Sequence, residues 1–129
     1  MNHALTISGL SQITFAVLLG WPLFFIYYFD KKTVGPIKSG RRLLQCHIDN
    51  IMMGILQLCV SVAVPKVPKY AGTLLLLGSW LNPQGFLIQA IQPTMATQNP
   101  VLVRVSGALS FATLTIAYPA LLYHYVKGK

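Results

Sequence analysis

Apolar residues fall into four long runs along this chain, broken by short segments that collect nearly all the charge. The runs extend over about 7–29, 43–64, 71–92 and 105–126, and each holds about 20 residues, enough for a helix to cross a bilayer core of roughly 30 Å. The pattern therefore predicts an all-α, integral membrane four-helix bundle, with residues 1–129 as a single four-span domain. Two runs carry polar or small residues at helical spacing. In the second, His47, Asn50, Gly54, Gln57 and Ser61 recur at steps of three and four, and in the third Gly78, Asn82, Gly85, Gln89 and Gln92 do the same. Such steps put each set on one helix face. A polar stripe in lipid must meet a partner helix, a cavity or a cofactor, so the two stripes are expected to face each other. Pro83 interrupts the third run, where it removes one backbone donor, bends the helix and frees the carbonyl of Ser79.

The ends of the runs carry the marks of a water interface. WPLFFIYYF precedes Asp30, Lys31 and Lys32, and Tyr123, His124 and Tyr125 sit ahead of the terminal lysines, as in an aromatic belt. Ser106, Gly107, Ser110 and Thr113 on the fourth run form a small-residue face suited to close packing, here expected at a subunit contact. The N-terminus lacks the basic start and small-residue cleavage site of a signal peptide, so the first run is expected to stay in the mature protein.

Composition narrows the class further. Hydrophobic residues make up 54% of the chain and charged residues 9%, a membrane profile. The net charge of +8 lies in loops and ends, without a basic stripe interleaved with exposed aromatic residues, so it reads as topology and headgroup contact and not as a nucleic-acid surface. Lys66, Lys69, Lys127 and Lys129 lie on the side of the termini, against Lys31, Lys32, Lys38, Arg41, Arg42 and Arg104 on the other. This bias places the termini away from the cytoplasm, in a multi-pass protein of the cell inner membrane. Cys46 and Cys59 are separated by roughly 20 Å along one helix and cannot pair.

Conventional catalytic devices are missing: there is no phosphate loop, no HExxH, no CxxC and no serine elbow, and Asp30 and Asp49 are the only acids. Chemistry would need a borrowed electrophile. His47, about one turn inside the second span, can ligate a metal or haem iron, act as an acid or base, or simply bond a neighbour. Asp49, two residues on, can orient an imidazole of another subunit, pair with Arg41 or Arg42, or stay solvated at the headgroups; the last is the expectation. Met52 and Met53 read as core residues, with a thioether near His47 also able to touch a cofactor.

The segment from His47 to Gly54, HIDNIMMG, resembles the signature of the small membrane isomerases that include hydroxylaminobenzene mutase and styrene oxide isomerase. His47, Asp49, Met52 and Gly54 match the mutase pattern, and Gly78 and Asn82 are similar to a glycine and asparagine spacing in its third span. The resemblance implies a homotrimer of four-helix subunits with haem b held near subunit interfaces. It implies His47 as axial ligand to iron, with Met53, Gly54 and Gly78 beside the cofactor. It also implies an intramolecular rearrangement of a small apolar aromatic substrate, an arylhydroxylamine to an aminophenol or an aryl epoxide to an aldehyde. Asn50 or Asn82 would hydrogen-bond the departing oxygen. One position departs from the family, whose members carry an asparagine where Met53 stands; Asn50 is the residue expected to replace that amide. A non-enzymatic haem-binding or transporter-type subunit, and a purely structural bundle, are the readings that compete with an isomerase.

Overall fold

A computed structural model describes residues 1–128. Four long helices, α1 (Asn2–Tyr28), α2 (Gly40–Ala63), α3 (Lys69–Ile91) and α5 (Pro100–Lys127), are joined by loops and by the single turn α4 (Met95–Gln98). All four are long and apolar enough to cross a membrane, and the protein is an all-α, multi-pass membrane bundle. The helices begin several residues before the apolar runs because polar residues at their ends find partners. At α1, the Asn2 amide donates to the carbonyls of Ser61 at 2.9 Å and Val64 at 2.7 Å, and its oxygen accepts from the Val67 N–H. One side chain thus serves three groups around the end of α2, where backbone acceptors have no helical donors. At the other end Ser39 caps α2 through the Arg42 N–H. The preceding loop turns at Gly35, whose φ of +56° is open to glycine at little cost, and the N–H groups of Lys38 and Ser39 donate to the Ala90 carbonyl.

Neighbours in sequence are neighbours in space. α1 packs on α2, α2 on α3, and α5 on α3, so α5 stands at the edge of a three-helix core. Two apolar clusters close the ends. Leu5, Val64, Val67, Ala71, Leu75, Ala117 and Leu121 gather near the termini, and Leu23, Ile26, Ile37, Leu43 and Ala90 gather under the 31–39 loop. Between them lies a polar layer with no exposed surface at Gln12, Asn50, Gln57 and Ser79.

The α2 stripe does form a buried seam, but it faces α1 and not the α3 stripe. The Thr6 hydroxyl donates to Ser61, Gln57 Nε2 to Gln12 Oε1, and Gly54 lies against Gly9. A methyl group at Gly54 would sit 2.8 Å from the Gly9 carbonyl oxygen, so this crossing exists only because both positions lack a side chain. The α3 stripe turns mainly to α5. Ser110 Oγ donates to the Gly78 carbonyl at 3.1 Å, and a methyl at Gly78 would meet Thr113 and Leu114. The small-residue face of α5 therefore packs within the chain at Ser110 and Thr113, where the sequence suggested a contact between subunits.

Pro83 leaves the Ser79 carbonyl without its helical donor, and Gln12 Nε2 takes that place at 2.7 Å. Gln12→Leu removes this donor and the acceptor for Gln57 together, and is expected to destabilise the protein by about 1–3 kcal/mol in detergent unfolding. In a Pro83→Ala background the carbonyl regains a backbone partner and the loss should shrink. Equal losses in both backgrounds would disprove the link.

Candidate functional site

The residues singled out in the sequence divide between two places. The first is the α1–α2 face around His47. Its Nδ1 lies 2.8 Å from the Ala16 carbonyl, an oxygen that can only accept, so Nδ1 donates this bond and the other ring nitrogen is Nε2. That nitrogen has no partner among the described residues. The ring is half-buried, and Gly20 stands beside it: a methyl there would come within 3.8 Å of Cε1. Gly20 itself belongs to a shallow groove on α1 with Val17, Trp21 and Phe24. Trp21 is the first of an exposed aromatic series, with Phe24 stacked on Tyr28 at 4.9 Å and Phe25 on Phe29 at 5.8 Å.

This donor set discriminates between metal groups. No cluster of three or more His, Cys, Asp or Glu that could hold a bare ion occurs among the described residues. A lone imidazole suits a group that brings its other ligands with it, as a porphyrin does. A ligating histidine usually gives its second N–H to a carbonyl or carboxylate, which fixes the tautomer and the ring, and Ala16 supplies that here. An imidazole held in this way would serve as the single protein ligand to such a group.

The other residues expected around the cofactor lie elsewhere. Asn50 is fully buried; its amide nitrogen donates to the Cys46 carbonyl at 2.8 Å and lies 3.3 Å from the Cys46 sulfur, while its oxygen has no partner. It is not brought to the open side of His47. The spaces above Gly54 and Gly78 are filled by α1 and α5, as described above. Met53 is half-buried, and six residues on from His47 it stands about a third of a turn away around the helix.

The second place is a cavity of about 270 Å³ between α3 and α5, beyond the bend at Pro83. Its walls are mostly apolar, from Leu81, Phe86, Leu102 and Phe111, with polar groups from Asn82, Gln89 and Ser106. Gly85 and Gly107 line it too, and a methyl at either would meet nothing within 4 Å. These glycines make room, whereas Gly54 and Gly78 make contact.

Asn82 links the cavity to α2. Its Nδ2 donates to Asp49 Oδ2 at 2.9 Å, which corrects the expectation of a solvated charge: the one acid inside a span is held against α3. A hydrogen bond to a carboxylate is among the stronger kinds, and in lipid it is little screened. With one N–H committed, Asn82 keeps a second N–H and a carbonyl oxygen for a guest. Arg42 bonds Gln45 Oε1 at 2.9 Å and lies 5.8 Å from the centre of the ring of Phe86, one of the cavity's walls.

Sequence periodicity missed Gln12, Ser8 and Trp80. Trp80 Nε1 donates to Ser8 Oγ at 2.8 Å, and Gln12 joins Gln57 to Ser79 across three helices. The signal was present as Leu5, Gly9, Gln12 and Ala16, buried at steps of four, three and four, but a single polar residue in an apolar run makes a faint stripe. Comparison with protein-family models, with curated proteins and with solved structures finds no match for this chain.

Proposed function

We propose that the protein is a haem-dependent isomerase of the cell inner membrane, rearranging a small apolar aromatic substrate of the arylhydroxylamine or aryl epoxide class. The reading rests on one observation above others: an imidazole inside the membrane-crossing part of α2 with Nδ1 tied to a carbonyl, a glycine beside the ring, and no partner for Nε2 among the described residues. An unpaired basic nitrogen in lipid is costly unless something binds it.

His47 would hold haem b. The chemistry such a group supplies when bound as ferric haem is Lewis-acid polarisation of a substrate oxygen. The chain's own residues do the rest. Trp21 and Phe24 offer apolar surface beside the imidazole. The α3–α5 cavity accepts a ring-sized apolar molecule, and Asn82, steadied by Asp49, offers an amide to its polar group. His47 does not line that cavity, so a site using both is completed by a second copy of the chain, consistent with a homotrimer.

The test is turnover without reductant. Haem-loaded protein in detergent should convert phenylhydroxylamine or styrene oxide to an isomer with no net redox change. Asn82→Ala should lower that rate by about 10²-fold while leaving the haem spectrum intact. A coloured protein that cycles between oxidation states but yields no isomer from either substrate would replace this reading with that of an electron-transfer subunit.

A further inference from the structure

The termini-side end of the bundle carries a second cleft, of about 380 Å³, between the α2–α3 connection and the last turns of α5. One wall is apolar, from Ala63, Val64 and Pro65, and the rim carries Lys66 and His124. The imidazole is fixed there, because Tyr70 Oη lies 2.8 Å from His124 Nε2 and so ties the start of α3 to the end of α5. Lys69 and Lys127 are exposed and lie near cleft residues in sequence, the latter next to Gly128 and with its Nζ 4.8 Å from the centre of the Tyr123 ring.

No acidic side chain balances these cations. The two acids of the chain are Asp30, beyond the far end of α1, and Asp49, committed to Asn82. Val62, next to that wall in sequence, is 85% exposed. A positive rim over an apolar wall, at the level where helices leave the hydrocarbon, matches one ligand in both halves.

We infer that this cleft binds an anionic phospholipid, its phosphate held by Lys66 and Lys127 beside His124 and its acyl chain lying along Val62 and Val64. A soluble anion would use the rim but gain nothing from the wall.

Native mass spectrometry of protein extracted from mixed phosphatidylcholine–phosphatidylglycerol vesicles tests this. The wild type is expected to retain phosphatidylglycerol, and K66Q/K127Q to retain about tenfold less. K31Q/K32Q, which removes equal charge at the other end, is expected to retain as much as the wild type. All four lysines are exposed, and circular dichroism checks that the fold is kept. Equal retention by K66Q/K127Q and the wild type, or equal loss from both double variants, overturns the site. Displacement of the lipid by excess inorganic phosphate would assign the rim to a soluble anion and overturn it as well.

Discussion

His47→Gly is expected to yield a colourless protein from haem-replete cells, with the Soret band restored by added imidazole. The expectation follows from the geometry of one ring. Its Nδ1 is held by the Ala16 carbonyl, its Cε1 borders Gly20, and among the described residues no group of three or more His, Cys or acids could keep a metal in its absence. Removing the side chain would therefore remove the protein ligand proposed for the haem while opening a space that free imidazole can fill. Loss of a supporting partner alone lowers metal affinity by about 10–100-fold, so loss of the ligand itself should exceed that range. Gly20→Leu gives a second view, since it keeps the ligand and crowds its edge; it should reduce occupancy without abolishing it. A Soret band of full strength in His47→Gly would refute the assignment.

Gly54→Val carries the largest expected effect on stability. Even the first added carbon would lie 2.7 Å from Ile13 Cγ1 and 2.8 Å from the Gly9 carbonyl oxygen, and the second of these is backbone, which cannot rotate away. The helices must separate, and the bonds of Gln57 to Gln12 and of Thr6 to Ser61 lie on the same seam. A cost of about 3 kcal/mol or more is expected, above the usual range for overpacking. Thermal unfolding in detergent measures it. Gly85→Ala and Gly107→Ala are the matched controls, because nothing lies within 4 Å of the added methyl. They should keep wild-type stability and narrow only the α3–α5 cavity. Similar losses at all three glycines would mean that this crossing does not set the cost.

These contrasts bear on what the sequence could disclose. Four spans were legible because each must be apolar for some 20 residues, a demand that leaves little freedom in composition. The buried face of α2 was legible too, since Asn50, Gly54 and Gln57 fall on one side and are buried there. Which helix covers that face was not. Periodicity identifies a side of a cylinder, but its partner is chosen by complementary shape and by single hydrogen bonds, and α1 wins through Gly9 and Gln12 where the α3 stripe looked richer. The Asp49–Asn82 pair was hidden for a related reason, since Asp49 lies off the α2 stripe and meets α3 from its flank. Pro83 announced a free carbonyl at Ser79, yet nothing local indicated that its donor would come from 67 residues away. At the candidate site, His47 was visible as an ionisable group in lipid, whereas its orientation depends on a backbone oxygen of α1, and main-chain atoms leave no trace in residue types.

The pairs that join α1 to α2 run in antiparallel order, Asn2 with Ser61 and Val64, Gly9 with Gly54 and Ala16 with His47, and the long Gln12 and Gln57 side chains bridge across that order. A ribosome delivers both halves of this ladder before it reaches α3. The first two helices can thus zip together and sink into the bilayer as one hairpin, their polar groups already shielded. Gln12, Ser8 and Asp49 are left waiting, and their claims on Ser79, Trp80 and Asn82 make them the latches that receive the third helix.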